Sequence, residues 1–228
     1  LMRDRNCDLA WFSRSASMRA KREVAGPAPF SDSANTEAPR AARFSAQLGF
    51  VVEDEVRAAM VEFAPRLEIV SAERIRDELL KLLATDRPAT GIRLLVDTGL
   101  ADLFLPELSE LRATQDDHGR HKDVYEHSLT VLEQAIELEI ARRTDTDAGP
   151  DLVLRLAALL HDIGKPSTRK FERGGVTFHH HDLVGAKLAR KRLRALRLDN
   201  ETIASVARLI ELHLRFFGYA EGAWTDSA

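Results

Sequence analysis

A histidine and an aspartate, His161 and Asp162, directly follow an almost wholly apolar run, LVLRLAALL. Burying an imidazole and a carboxylate beside such a run is costly unless something compensates for them, and a divalent metal ion does so. The two side-chain types together suit a hard-to-borderline divalent ion. Gly164 and Pro166 are expected to end the helix and leave room for a ligand, and Lys165 to place a cation beside a bound phosphate. The sequence therefore predicts a metal site here, with His161, Asp162 and Lys165 as catalytic residues.

Two ligands do not complete a metal site, so others must come from elsewhere in the chain. His127, His161, Asp162 and Asp226 would make one metal centre. His181 and His213 would support a second ion about 3.5–4 Å away, in the two-metal arrangement that activates water for attack on a phosphoester.

The sequence leaves an alternative open for each ligand outside the His-Asp pair. The alternatives are a core histidine for His127, a helix cap for Asp226, the neighbouring His180 in place of His181, and the polar end of a helix for His213. His118 and His121 are expected to be solvated loop residues rather than ligands.

The elements that must position these residues are predicted to be helices. Aromatic residues make up only 6% of the 228 residues, while Ala, Leu and Arg are abundant, and this balance favours helix over strand. From Arg40 onward apolar residues recur at helical spacing, and Ser71, Asp151 and Asp199 are candidate caps. Short runs on either side of Gly174-Gly175 are the one hairpin signal. The predicted fold is all-α with one small β-hairpin.

The overall charge of −3 hides a strongly basic stretch. Residues 165–197 contain ten Lys or Arg residues and two acidic ones, beside the predicted metal site. We predict contacts with an RNA backbone from Arg169, Lys170, Lys187, Arg190, Lys191 and Arg194. A solvated helix face is the alternative. Phe171 and Phe178 are the few aromatic neighbours, which argues against base-specific readout.

Five segments of the chain carry a family resemblance. RAARFSAQLGF, SAERIRDELLKLL, HKDVYEHSLTVL, LLHDIGKP and FHHHDLVGAKLA together resemble the bacterial CCA-adding tRNA nucleotidyltransferase and poly(A) polymerase family. The order H…HD…D resembles the HD superfamily of metal-dependent phosphohydrolases. The resemblance covers about residues 40–228, and it implies that Arg40 and Arg43 match neck positions near the incoming nucleotide.

The resemblance also implies a domain organisation. Residues 1–39 would be a poorly ordered arm with no family match, residues 40–112 a helical neck and RNA-binding region, and residues 113–228 an HD-type helical bundle truncated at its C-terminus. The Gly-Ser and DxD-type signature of the family's polymerase head is not legible in the sequence. Since the chain begins at Leu1, we expect a fragment that lacks this head and does not transfer nucleotides alone.

The function implied by the resemblance combines RNA binding with hydrolysis. An HD site holding Mg, Mn, Co or Ni would act on 2′,3′-cyclic or 2′-phosphate ends, with Lys165 and Arg169 neutralising the phosphoryl oxygens. The implied partners are tRNA or another RNA and, in the intact family protein, nucleotides. An RNA-binding module or an inactive fragment is the alternative function.

Two general features of the sequence bear on location. Cys7 is the one cysteine, which excludes a disulfide framework and fits a reducing compartment, so we expect a cytoplasmic protein. No run approaches the roughly eighteen apolar residues that a membrane span needs. The oligomeric state is left open.

Overall fold

The helices of this chain follow from regularly spaced apolar residues and from polar side chains that cap their first turns. The computed structural model describes residues 37–114, 123–144, 149–172 and 175–216. The elements in chain order are α1 Glu37–Leu48, α2 Asp54–Phe63, a 3₁₀ helix Ala64–Ile69, α3 Ala72–Leu83, α4 Pro88–Asp97, α5 Ala101–Phe104, α6 Pro106–Arg112, α7 Val124–Arg142, α8 Leu152–Leu160, α9 Lys165–Thr168, β1 Lys170–Glu172, β2 Gly175–Thr177, α10 His181–Ala195, α11 Asn200–Leu212 and a 3₁₀ helix His213–Phe216.

The two strands form an antiparallel hairpin in which Phe171 pairs with Val176. Gly175 begins the second strand, as the hairpin prediction requires, while Gly174 lies outside the described residues. Every other described element is helical or a connection between helices. The prediction of an all-α fold with one small hairpin is confirmed.

Capping side chains fix where four of the helices begin. Ser71, Asp123, Asp151 and Asp199 each accept a hydrogen bond from the backbone N–H three residues further on. Such a bond satisfies one of the N–H groups that has no partner inside its own helix. The helix starts predicted at Ser71, Asp151 and Asp199 are confirmed.

Two helix boundaries differ from the sequence prediction. The arm was expected to reach residue 39, but α1 already begins at Glu37. Pro39 is tolerated there because the first turn of a helix does not use its N–H groups. The run GIRLLVDTGLADLFLPELSEL predicts two short helices hinged near Gly99. Gly99 has a φ of +71°, but a second break occurs at Leu105, with φ −144° and ψ 54°. Leu105 precedes a proline, whose ring disfavours helical geometry in the residue before it.

The core runs without a break through both halves of the described chain. Its buried apolar residues extend from Ala41 in α1 to Ile210 in α11. The apolar helix α8 lies in the middle of it, packed against α3, α7 and α11. An almost wholly apolar run such as LVLRLAALL predicts a buried central helix, and the position of α8 confirms that prediction. The boundary proposed between residues 112 and 113 stays a prediction.

One buried charge of α8 was not expected from its apolar sequence. Arg155 is only 2% exposed. Its Nε donates to Glu139 Oε2 at 2.7 Å, and its Nη1 donates to the carbonyls of Leu83 at 2.7 Å and Thr85 at 2.9 Å. The guanidinium therefore joins α8 to α7 and to the C-terminal end of α3.

Among the described residues, no helix is both long enough and apolar enough to cross a membrane.

Candidate metal centre

Five side chains from separate parts of the chain meet at the C-terminal end of α8. Asp162 is at the centre and is 2% exposed. Its Oδ2 lies 3.2 Å from Nε2 of His161 and 4.0 Å from Nε2 of His127. Its Oδ1 lies 3.2 Å from Nε2 of His181 and 3.8 Å from Nε2 of His213. The structure therefore brings together five of the six residues predicted as metal ligands.

The five residues form two groups that share the carboxylate of Asp162. One group contains His127 and His161, and the other contains His181 and His213. Within each group the ligand atoms lie within 4.8 Å of one another. The histidines of the two groups lie nearest to different oxygens of Asp162, so each group could hold one divalent cation.

Hydrogen bonds to the backbone orient three of the four imidazole rings. Nδ1 of His161 lies 2.8 Å from the carbonyl of Ala158, and Nδ1 of His181 lies 2.7 Å from that of Phe178. His213 repeats this contact at 2.6 Å with the residue three before it. A carbonyl only accepts, so each Nδ1 carries the proton and donates it. In the neutral rings, Nε2 then carries no proton, and its lone pair is directed towards Asp162.

This donor set fits a divalent cation. Nε2 of His181 and Nε2 of His213 lie 3.2 Å apart. While both rings are neutral and donate through Nδ1, neither Nε2 can donate to the other or to the carboxylate. The centre therefore gathers lone pairs and a negative charge, which a metal ion satisfies, and backbone bonds at the opposite ring nitrogen are how proteins orient metal-ligating histidines.

Electrostatics keep Asp162 ionised and favour a neutral His213. Burial raises the pKa of Asp162, but interactions with His161 and His181, whose Nε2 atoms donate to the carboxylate when the rings are protonated, and the charge of Lys165 outweigh it, so the pKa lies well below its ordinary value. For His213, burial is the main cause that lowers the pKa below its ordinary value, and the neighbouring histidines act in the same direction. An anionic carboxylate and a neutral imidazole are the forms that bind metals.

Close contact between two backbones places His181 beside Asp162. A Cβ added at Gly164 would lie 2.1 Å from the carbonyl oxygen of His181 and 2.6 Å from the amide nitrogen of Gly185. The first residues of α10 therefore occupy the space beside Gly164. The expectation that Gly164 leaves room for a ligand was wrong, because the space beside Gly164 is filled by α10, the helix that carries His181.

Lys165 lies at the edge of the cluster, as the sequence predicted. Its Nζ is 3.0 Å from Oδ2 of Asp162, and its side chain is 14% exposed. It also lies 5.4 Å from the centre of the Phe178 ring. The ammonium group therefore adds a positive charge next to the carboxylate on the side where the hairpin begins.

The remaining histidines and Asp226 divide into two sets. His180 has a left-handed φ of 60° and is exposed, so the structure brings His181 rather than His180 to the cluster. Asp226, His118 and His121 lie outside the described residues. The interpretation of Asp226 as a ligand stays a prediction.

Comparisons with known proteins agree with this geometry. Residues 49–111 match the family described as the probable RNA and SrmB-binding site of polymerase A, and residues 124–225 match the HD domain. The A-adding tRNA nucleotidyltransferase of Deinococcus radiodurans is 40% identical over 182 residues, which cover 77% of this chain and 40% of that protein. The chain is thus similar to bacterial CCA-adding tRNA nucleotidyltransferases over most of its length.

Two further relatives have related names. The CC-adding tRNA nucleotidyltransferase of Thermus thermophilus is 36% identical over 77% of this chain and 40% of its own length. The multifunctional CCA protein of Vibrio parahaemolyticus is 32% identical over 80% of this chain and 44% of its own length. The chain thus spans about two fifths of the length of the curated relatives it matches.

Two arginines that the family resemblance placed near a nucleotide contact a buried glutamate, although Arg40 itself is exposed and Arg43 is half-buried. Nε of Arg43 donates to Oε2 of Glu78 at 2.9 Å, and Nε of Arg40 lies 3.8 Å from the other oxygen of Glu78. Glu78 is 6% exposed. These ion pairs join α1 to α3, and the role of both arginines near a nucleotide stays a prediction.

The basic residues predicted to contact RNA also separate into two sets. On α10, Arg190 donates to Glu211 at 2.6 Å. Lys187, Lys191 and Arg194 share a helix face and are exposed. In the hairpin region Lys170 is exposed, while the Arg169 guanidinium lies 4.8 Å from the centre of the Phe171 ring.

Sequence reasoning missed a second basic residue with a structural partner. Arg192 makes a bidentate contact with Glu107, in which Nε donates to Oε2 at 2.9 Å and Nη2 donates to Oε1 at 2.9 Å. This pair joins α10 to α6. The basic run of α10 offered no signal that separates Arg192 from its exposed neighbours, because the partner lies far away in the sequence.

Proposed function

We propose that this chain hydrolyses a phosphoester at the end of an RNA, using a divalent metal centre formed by His127, His161, Asp162, His181 and His213. The observation that carries the proposal is the buried carboxylate of Asp162 faced by four Nε2 atoms. When bound there, a divalent ion supplies a more acidic water and positive charge for phosphoryl transfer. A set dominated by imidazole favours Mn, Co or Ni over Mg among the four expected metals.

The residues of this chain orient the centre and provide positive charge. The carbonyls of Ala158, Phe178 and Ile210 fix the ring orientation of three histidines. Lys165 places an ammonium group 3.0 Å from Asp162, so phosphoryl oxygens brought to the centre lie beside a cation. We assign to Arg169, four residues after Lys165, the same role of neutralising the charge on the phosphoryl oxygens. The substrate class is a 2′,3′-cyclic phosphate or a 2′-phosphate on ribose.

The test is hydrolysis of adenosine 2′,3′-cyclic phosphate by metal-stripped protein to which Mg²⁺, Mn²⁺, Co²⁺ or Ni²⁺ is returned. We expect hydrolysis that depends on the metal and that the double change His161→Ala, Asp162→Ala removes. His179→Ala is the matched control, because His179 is exposed and outside the cluster. No hydrolysis with any of the four ions, or hydrolysis that survives the double change, would overturn the proposal.

For the RNA partner we propose tRNA, held in part by the exposed face of α10. Lys187, Lys191 and Arg194 have no acidic neighbour on their own helix beyond Asp182 in its first turn. Replacing all three by Ala should weaken tRNA binding and reduce its salt dependence by about 0.7–0.9 in slope per charge lost. Arg208→Ala on α11 is a control, since Arg208 lies 3.4 Å from Glu211.

A second function, an RNA-binding module without hydrolysis, is favoured by the match of residues 49–111 to an RNA-binding family. In that case tRNA binding would survive the double change at His161 and Asp162, and hydrolysis would be absent from the parent chain too. A cytoplasmic location and a divalent metal of unknown identity are also proposals for this chain, whereas nucleotide addition is proposed only for the intact family protein. The absence of both tRNA binding and hydrolysis would leave the inactive-fragment alternative.

A further inference from the structure

The hairpin beside the metal centre carries an exposed aromatic side chain whose role the centre does not explain. Phe171 is 76% exposed, compared with 41% for both Phe50 and Phe63. Its partner across the hairpin, Val176, is 2% exposed. Val176 is therefore the buried member of this pair, and the ring of Phe171 adds little buried apolar area to the hairpin.

Both ends of the hairpin are attached to residues of the metal centre. Before β1, the hydroxyl of Thr168 donates to the carbonyl of Gly164 at 3.0 Å, and Lys165 contacts Asp162. After β2, the carbonyl of Phe178 accepts the Nδ1–H of His181. These attachments give the strand that carries Phe171 a defined position relative to the centre.

One face of the Phe171 ring already has a cation over it. The guanidinium of Arg169 lies 4.8 Å from the ring centre. With 76% of the side chain still exposed, the opposite face is open to solvent. An aromatic face with an adjacent arginine is the combination on which nucleobases stack, and the stacking tolerates any base because every base has a π face.

We infer that Phe171 stacks on the nucleobase of the nucleotide whose ribose phosphate is bound at the metal centre. This inference rests on the proposed function and makes it more specific, because the substrate is then a nucleoside phosphate or RNA end rather than a simple phosphoester. Exposed Lys170 lies beside Phe171 and is available to the next phosphate of the chain. Stacking without hydrogen-bond readout predicts little preference among the four bases.

The chain offers a matched control for this aromatic–arginine pair. Phe63 is 41% exposed, and the guanidinium of Arg66 lies 4.6 Å from the centre of its ring. The pair lies in α2 and the 3₁₀ helix that follows, and neither element contributes a side chain to the metal-binding groups. Phe63→Ala therefore removes the same kind of pair away from the centre.

The first experiment compares two substrates with the same cyclic phosphate. Adenosine 2′,3′-cyclic phosphate has a base, and glycerol 1,2-cyclic phosphate has none. For Phe171→Ala we expect the KM for the adenosine substrate to rise about tenfold, within the range that one stacked base contributes, and kcat/KM for the glycerol substrate to stay unchanged. Phe171→Tyr should restore the low KM because it restores a ring. Phe171→Leu keeps an apolar side chain without a ring and should not restore the low KM. Phe63→Ala, which removes a similar pair away from the centre, should leave the KM unchanged.

The second experiment does not depend on hydrolysis. In Phe171→Trp, fluorescence of the new indole should be quenched by adenosine 3′-monophosphate and not by glycerol 2-phosphate, beyond any change shown by the parent chain with Trp11 and Trp224. Equal effects of Phe171→Ala on both cyclic substrates, or no quenching by the nucleotide, would overturn the stacking inference alone. Absent hydrolysis of both substrates by the parent, with quenching retained, would overturn the proposed hydrolysis and leave stacking supported.

Discussion

Two buried carboxylates, Glu139 and Asp162, lie at opposite ends of α8 and have different surroundings. Glu139 accepts from Arg155 at 2.7 Å, from Arg143 at 2.5 Å and from the backbone N–H of Asp151 at 3.1 Å. Each of these three partners is an N–H group, which donates a hydrogen bond and cannot accept one. Asp162 instead faces four histidines, three of which use their Nδ1–H on backbone carbonyls.

The difference separates a structural ion pair from a binding site. Glu139 and Arg155 are paired within the protein, and the two Nη1 hydrogens of Arg155 are satisfied by the carbonyls of Leu83 and Thr85. Around Asp162 the neutral imidazoles supply further lone pairs, and Lys165 at 3.0 Å is the charged donor described there. A buried carboxylate that is short of donors has the composition of a cation site. The predictions below test this contrast.

The largest effect is expected from breaking the Glu139–Arg155 pair. Arg155→Met should lower the free energy of unfolding by about 3–5 kcal/mol, because it leaves Glu139 buried without its main partner and frees two carbonyls. Denaturant unfolding measures this loss, and Arg142→Met on the exposed surface of α7 is the control. Adding Glu139→Leu to Arg155→Met should recover part of the loss. A change below about 1 kcal/mol for Arg155→Met would contradict the structural role.

The corresponding change at the other carboxylate should affect binding and activity. Asp162→Asn should reduce metal affinity and metal-dependent hydrolysis by more than about 100-fold, since loss of an orienting partner outside the ligand shell already costs 10–100-fold. Metal content after gentle purification and hydrolysis of adenosine 2′,3′-cyclic phosphate measure the effect. Arg155→Met should leave hydrolysis per folded molecule unchanged. Full metal binding by Asp162→Asn would contradict the assignment of Asp162 to a cation site and of Glu139 to a structural ion pair.

A smaller effect is expected from adding the metal to the stripped protein. At a free metal concentration ten times Kd, the free energy of unfolding should rise by about 1.4 kcal/mol, because the ion binds the folded state. Thermal unfolding with Mn²⁺, Co²⁺ or Ni²⁺ measures the rise. Asp162→Asn should show none, whereas the surface variant Arg142→Met should show the full increment. The same rise in Asp162→Asn would place the bound ion elsewhere.

The smallest effect concerns how the stability contributed by the Glu139–Arg155 pair depends on pH. Burial raises the pKa of Glu139, but hydrogen bonds from Arg155, Asp151 and Arg143 outweigh it and lower the pKa below its ordinary value of 4.5. A carboxyl with a lowered pKa contributes stability above that value, and the contribution is lost as the pH falls through the folded-state pKa. The stability difference between the parent and Glu139→Gln should therefore be constant from pH 7 to about 5 and shrink below 4.5. A difference that grows on acidification would contradict this sign.

Much of the candidate site could be predicted because it depends on local features. The His161-Asp162 pair after an apolar run, and caps such as Asp151, are visible in a few consecutive residues. The choice of His181 over His180 needed the structure, since the two neighbours differ only in which one begins α10. Asp226 lies outside the described residues and stays a prediction.

Long-range ion pairs account for most of what the sequence did not reveal. Arg155 sits in an apolar run, and Arg192 sits in a basic one, yet both are paired with glutamates on other helices. Arg43 was placed near a nucleotide by resemblance, and in the structure it contacts Glu78. A partner distant in sequence leaves no local pattern, so charge alone could not separate structural arginines from those on the exposed face of α10.

The sequence by itself determined the residue types of the centre and the proton position on three of its rings. His161, His181 and His213 each contact the carbonyl three residues earlier, a distance set by the local turn of the chain. Tertiary structure alone decided that these rings converge on the two oxygens of Asp162. Convergence requires α10 to approach the end of α8 at backbone distance, and Gly164 and Gly185 permit that approach because neither has a side chain.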